Sequence, residues 1–231
     1  MIRRAVLLLG LALAAAAAAD ELYATKPPAA DGIGKVYMGR EIAHVMGHQA
    51  ADWLERPERD REEGTAKLVP LLGLQPTDVV ADIGAGTGYF SFRMAAVATQ
   101  GKVYAVDVQP EMLEIVAARR TRERRDNVVP ILGTEDDPRL PPGAVDLILL
   151  VDAYHEFAEP RAMGESMARA LKPGGRIALV EYRAEDPAVP IKTLHKMSEA
   201  QARKEMAALG LRWLRTDESL PWQHVMFFEK P

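Results

Sequence analysis

The chain has 231 residues, of which 48% are hydrophobic and 27% charged, and its formal net charge is −4. That length supports one large domain, or one domain with a small appendage, and a core that needs no covalent staples. The absence of cysteine excludes disulfides, thiolate catalysis and Cys-based zinc sites, and the mildly acidic balance leaves no electrostatic footprint for nucleic acid.

The first residues follow the three-part plan of a secretory signal peptide. Arg3-Arg4 is a basic start, residues 5–18 are an apolar run, and Ala17-Ala18-Ala19 offers a cleavage site before Asp20-Glu21. Residues 1–19 therefore read as a signal peptide, and the mature chain as an exported, periplasmic protein with no stable membrane span. The alternative is an inner-membrane anchor left uncleaved.

Residues 20–64 read as an arm and a covering helix. The Pro- and Gly-containing stretch 20–35 is irregular. A helix is expected over 40–55, with Ile42, Val45, Met46, Trp53 and Leu54 on its apolar face. It would carry His44 and His48 at i, i+4 on one face, either as a pair able to ligate a metal or as the polar side of a cover. The run 56–63 is densely charged with both signs, which favours a solvated face; lining a cleft is the second reading.

From residue 65 to 231 the chain reads as one α/β domain. A short helix on apolar positions 68, 69, 71 and 72 stops at Gly73. Strands are expected at 78–83, 102–106, 128–132, 145–151 and 176–181, with helices at 89–97, 111–124 and 161–171 between them. A helix at 198–209 and strands at 211–216 and 224–229 follow. Such alternation predicts a Rossmann-like, seven-stranded, mostly parallel sheet with helices on both faces. The all-apolar run 145–151 is a strand buried on both faces. The last two strands are too close for a crossover helix, so they form an antiparallel hairpin.

The chemistry concentrates at the carboxyl ends of the strands, where open α/β sheets bind ligands. Strand 78–83 runs into Asp82 and then Gly84-Ala85-Gly86-Thr87-Gly88, a glycine turn at a helix start that admits close approach of a ligand to backbone. The spacing is G-x-G-x-G, unlike the G-x-G-x-x-G of dinucleotide sites, and position 89 is a bulky Tyr, which disfavours a nicotinamide-dependent oxidoreductase. A carboxylate at Asp82 repels a pyrophosphate and attracts an ammonium. Asp107 ends the next strand, as a ligand carboxylate or as a helix cap. Asp152, Tyr154, His155 and Glu156 follow strand 145–151, where a helical turn beginning near Asp152 would set Asp152 and Glu156 on one face with His155 beside them. His155 suits a general base because an imidazole titrates near neutral pH, with Glu156 to orient it or act instead; the plainer reading is a histidine packed at a rim. The loop 190–197 carries His195 and Lys196 and reads first as solvated. Trp222 is expected in the core or at a cleft wall.

The glycine turn, Asp107, the Gly133-Thr134-Glu135-Asp136-Asp137 loop, the Lys172-Pro173-Gly174-Gly175 turn and the terminal hairpin, taken in this order, resemble the class I S-adenosylmethionine-dependent methyltransferases over residues 65–230. The Tyr154-His155-Glu156-Phe157 tetrad resembles a subgroup of exported bacterial methyltransferases. The resemblance implies S-adenosylmethionine as cofactor, with Asp82, Gly84, Ala85, Gly86, Gly88, Asp107, Val108, Thr134, Glu135 and Asp152 around it. In this family Asp107 would receive both ribose hydroxyls, and the loop after the third strand would meet adenine. Thr134 stands where many members have Asp, leaving Glu135 or Asp136 as the acceptor for the exocyclic amine. His155 and Glu156 would serve catalysis on a small-molecule acceptor, with no nucleic-acid partner and no resident metal. Two rivals accompany that reading: a protein of the same fold that binds the cofactor without turnover, and an exported metal-binding protein using His44, His48 and His155.

Overall fold

The computed structural model describes residues 22–231. The proposed signal peptide lies outside the described residues. Within them, no helix is long and apolar enough to cross a membrane.

The central sheet contains β4 (Val79–Ile83), β5 (Lys102–Asp107), β6 (Val128–Leu132), β7 (Val145–Val151), β8 (Leu171–Arg183), β10 (Arg212–Asp217) and β11 (Gln223–Glu229). Its order is β10-β11-β8-β7-β4-β5-β6, and the two-residue β9 (Lys196–Met197) pairs with β8. Strands β4 to β8 run parallel to their neighbours, while β11 lies antiparallel between β8 and β10. The hairpin is therefore folded inward, with its second strand against the parallel sheet and its first at the edge. The chain leaves β4 toward β5 on one side and returns through β7 on the other, so a topological switch point opens above β4.

Both faces of the sheet are covered, as the run 145–151 requires. Leu147 and Leu149 pack with Leu68 and Leu72 of α3 (Thr65–Leu72) and with Phe90 and Met94 of α4 (Tyr89–Ala95). Ile148 and Leu150 pack on the other face with Met163 and Met167 of α6 (Pro160–Ala170) and Met206 of α7 (Glu199–Ala208). Alternate residues of one strand thus feed two separate cores, because successive side chains point to opposite faces. Helix α5 (Pro110–Glu123) begins with Pro at its first turn, where a missing N–H has no consequence. The Lys172–Gly175 stretch, expected as a turn before the fifth strand, is drawn into the start of β8, which spans Leu171–Arg183; Gly174 there takes φ +74° and donates its N–H to the Lys230 carbonyl.

The N-terminal region departs from the expected arm and helix. Residues 23–43 form a three-stranded antiparallel sheet of β1 (Tyr23–Thr25), β2 (Gly32–Tyr37) and β3 (Arg40–Ala43). Met38 and Gly39 join β2 to β3 with φ of +49° and +97°. Two central residues at positive φ suit a two-residue hairpin between right-twisted strands. Beyond β3, the helical part shrinks to a 3-10 turn, His48–Ala50, and the one-turn α1 (Ala51–Leu54). His44 and His48 therefore do not share a helix face.

The charged run is solvated on one side, with Glu58, Asp60 and Arg61 exposed, and buried on the other. Helix α2 (Arg59–Glu63) buries Arg59 and Glu63, whose side chains pair at 2.8 Å, and Arg56 adds a second bond to Glu63 at 2.6 Å. The Tyr182 hydroxyl donates to Glu63 at 2.9 Å. Arg56, Arg59 and Glu63 form an ionic clasp between the N-terminal region and β8, whose satisfied hydrogen bonds make the burial of Arg59 and Glu63 tolerable.

Candidate active site

A cavity of about 610 Å³ opens at the switch point, an ordinary size for a small-molecule site. Its floor is the carboxyl ends of β4, β5 and β7, and its roof is the segment 43–54 with the loop 190–195.

At one end the glycine turn carries Gly84 and Gly86 at φ +75° and +55°. A Cβ on Gly84 would stand 2.7 Å from the Ala153 Cβ, and one on Gly86 would stand 2.6 Å from the Leu54 side chain, so the turn needs glycine for space as well as for conformation. The Gly86 N–H donates to Oδ2 of Asp107 at 2.8 Å, and the Gln109 N–H donates to Oδ1 at 2.9 Å. Asp107 is thus a wall residue held by two backbone donors, and each oxygen keeps a lone pair for a ligand. Burial pushes its carboxyl above the usual range against the pull of these backbone donors.

Val108, Thr134 and Glu135 line the same end. Thr134 donates to Asp136 and accepts from the Asp137 N–H, which holds the loop in a turn and takes Asp136 out of the wall. Asp82, Ala85 and Gly88 lie outside the cavity wall. Asp82 is buried beneath it, accepts from the Ser91 hydroxyl at 2.6 Å, and is pushed up to about 6 by burial.

After β7, Asp152 adopts φ +50°, and the following residues form a 3-10 turn, Tyr154–Glu156. The left-handed residue breaks any helix there, so Asp152 and Glu156 do not share a helix face; each reaches the cavity separately. Asp152 Oδ2 accepts from the Gln223 amide at 2.6 Å, while its Oδ1 is buried without a partner. Burial holds its carboxyl well above the usual range, with Glu63 and Glu181 adding to the effect. A buried oxygen left unsatisfied in this way calls for a hydrogen-bond donor.

At the other end stand His155, Glu156 and His195. Glu181 accepts from the His155 backbone N–H at 3.3 Å and holds its Nδ1 at 2.6 Å, so the ring is fixed from below. Burial disfavours the imidazolium, yet the charge and hydrogen bond of Glu181 overcome it and hold His155 above its ordinary value. His155 Nε2 lies 3.1 Å from Nδ1 of His195. Glu156 Oε2 accepts from the Met46 N–H at 3.1 Å, which ties this end to the roof.

Sequence reasoning did not single out several wall residues. Gln109 bridges the floor to the roof, accepting from the His48 N–H at 2.7 Å and donating to the Met46 carbonyl at 2.9 Å. Tyr182 lines the cavity from the end of β8, whereas Arg183 turns away to Glu218. Trp53 and Leu54 were read as a core-facing helix side, yet both line the cavity and Trp53 is 40% exposed. An apolar residue left exposed beside a glycine turn marks a ligand surface rather than a core. His195 joins the site from a loop first read as solvated, while Lys196 is spent on the carbonyls of Asp186 and Val189. His44 reaches the wall; His48 instead faces Glu111 at 3.7 Å and is outside it. Trp222 is half-buried and outside the wall.

A glycine turn, a carboxylate at the end of the second parallel strand and a cavity above the switch point define a Rossmann-like α/β fold with a ligand-sized site at its switch point. Residues 81–177 match the family model described as "Methyltransferase domain". Among curated proteins, a methyltransferase-like protein of Schizosaccharomyces pombe is 36% identical over 141 residues, covering 61% of this chain and 52% of its own. A methyltransferase of Mycobacterium tuberculosis is 39% identical over 101 residues, covering 44% of this chain and 38% of its own. The match thus spans about half, or less, of these relatives' length. Among solved structures, a SAM-dependent methyltransferase from Aquifex aeolicus superposes with a TM-score of 0.76 at 24% identity, covering 81% of this chain and 100% of that one.

Proposed function

We propose that the protein transfers the methyl group of S-adenosylmethionine to a small-molecule acceptor. The observation that carries this reading is one continuous cavity running from the glycine turn and Asp107 to His155 and Glu156. Gly84, Gly86, Asp107, Val108, Thr134 and Glu135 would hold the nucleoside end, and Asp152 at the carboxyl end of β7 would lie beside the amino-acid end. Bound there, the cofactor's sulfonium supplies an electrophilic methyl carbon. For that chemistry the walls would have to align the acceptor atom, the methyl carbon and the sulfur and keep water out. The apolar roof of Trp53, Leu54 and Ile191 suits that exclusion. His155 and Glu156 stand at the acceptor end, where a hydroxyl or ammonium acceptor would lose its proton. The Tyr154–Phe157 tetrad and the basic and apolar start of the chain support an exported member of this class.

Calorimetry with S-adenosylmethionine and S-adenosylhomocysteine tests the reading. Binding of both is expected, and Asp107→Ala should weaken it at least about tenfold through the loss of a two-oxygen acceptor for a diol. Failure of the wild-type protein to bind either compound would overturn the proposal.

A further inference from the structure

We infer that His155, Glu156 and His195 form a binding site for one divalent first-row metal ion of the zinc class, open toward the acceptor end of the cavity. The site lies in the cavity assigned above to methyl transfer, but metal uptake can be read without turnover.

Three donor atoms from two separate segments converge. His155 Nε2 and His195 Nδ1 are 3.1 Å apart, His195 Nδ1 and Glu156 Oε1 are 3.4 Å apart, and His155 Nε2 and Glu156 Oε1 are 3.8 Å apart. Metal–ligand bonds of about 2.0–2.1 Å in a tetrahedral site set donor atoms roughly 3.4 Å apart, so this triangle has the edge lengths of one face of such a site. Two imidazoles and one carboxylate match the ligand preference of zinc and its neighbours rather than of magnesium or calcium.

Two further observations point to a cation. First, each ligand but His195 is already anchored through its other polar atom. The Nδ1 of His155 faces the buried Glu181 at 2.6 Å, the carboxylate–histidine arrangement that fixes a ligating ring and aims its other nitrogen. The Met46 N–H fixes Glu156 Oε2, leaving Oε1 toward the histidines. Second, Glu156 has no Lys or Arg partner among the described residues. Lys192, the nearby cation of the cavity wall, is engaged by Asp31 at 2.6 Å, and Arg40 is engaged by Glu205 and the His155 carbonyl. A largely buried carboxylate without a fixed counter-ion is a costly arrangement that a bound cation relieves. All three donors border the cavity, so the remaining position would be filled by water or by an acceptor oxygen, whose proton the ion would make easier to lose to solvent.

The test titrates chelator-stripped protein with Co²⁺, followed by visible absorption, and then displaces it with Zn²⁺. One saturable equivalent per chain with the absorption of a four- or five-coordinate ion is expected. His195→Ala, on a half-exposed loop where folding is not at stake, should weaken uptake at least about tenfold, as should Glu156→Gln. Glu181→Gln, a positioning change, should keep the spectrum but weaken binding by about 10–100-fold. His48→Ala should leave uptake unchanged. Absence of saturable uptake by the wild-type protein, or uptake that survives His195→Ala, overturns the proposal and leaves a hydrogen-bonded His–His–Glu cluster. S-adenosylhomocysteine binding is measured on the same samples. Cofactor binding without metal uptake overturns this inference alone; metal uptake without cofactor binding supports it and overturns the methyltransferase reading.

Discussion

Asp82 illustrates how burial decides what a residue contributes. It sits at the end of the first parallel strand, is 3% exposed, and meets one donor, the Ser91 hydroxyl. Desolvation raises its carboxyl to about 6 from an ordinary 3.8, with the charge of Asp107 adding to the shift. A raised carboxyl binds its proton more tightly in the folded chain than in the unfolded one. Its stabilising contribution is therefore complete below about pH 4 and is lost as the pH rises through 6. Asp82→Asn removes that loss. The stability difference between variant and wild type should move in the variant's favour by roughly 2–3 kcal/mol between pH 4 and 7.5, following about 1.4 kcal/mol per pKa unit. Chemical denaturation at the two pH values measures it; a difference independent of pH would show that Asp82 titrates as an ordinary carboxylate. His155 is a contrasting case at the same scale, because Glu181 compensates for its burial.

At the scale of elements, β3 connects the N-terminal sheet to the His155 end of the cavity. Arg40 at its start reaches Glu205 of α7 through two nitrogens, at 2.9 and 3.1 Å, and donates to the His155 carbonyl at 3.0 Å. Glu205 is fully buried. Arg40→Met would leave a buried carboxylate without its counter-charge and should destabilise the protein by about 3–5 kcal/mol. The double change Arg40→Met with Glu205→Met removes both charges and should recover most of that loss, by denaturant unfolding of the four-member cycle. Additive losses would mean that the pair does not act as a unit. None of this was legible locally. Helical spacing of Ile42, Val45, Met46 and Trp53 suggested a helix, but the left-handed turn at Met38-Gly39 and the pairing of β2 with β3 prevailed.

Over the whole molecule, the N-terminal region acts as a roof fastened to the floor by long-range bonds. Met46 to Glu156 and His48 to Gln109 join roof to floor, and Lys192 to Asp31 ties the loop 190–195 to the N-terminal region. If the cofactor occupies the cavity, its apolar and polar contacts should stabilise floor and roof together. Hydrogen exchange in residues 44–55 and 190–196 should slow by at least about fivefold in saturating S-adenosylhomocysteine, with little change in β10 at the far edge of the sheet. Protection restricted to the glycine turn would show that these segments do not cover the ligand.

The parallel sheet, the glycine turn and the position of Asp107 could be read from the sequence because each rests on local information. Strand and helix periodicities repeat within a few residues, and a glycine turn carries its geometry in its own spacing. The run 145–151 even announced two cores, which Leu147 and Leu149 on one face and Ile148 and Leu150 on the other supply. Tertiary structure alone decided the rest. His155 and His195 are 40 residues apart in sequence, and their meeting depends on β8 carrying Glu181 beneath one and β9 placing the other above it. Whether Arg59 and Glu63 face water or each other likewise depends on Tyr182, more than a hundred residues away. Such encounters are fixed by packing between elements, and a charge or an imidazole bears no periodic mark of the partner it will meet.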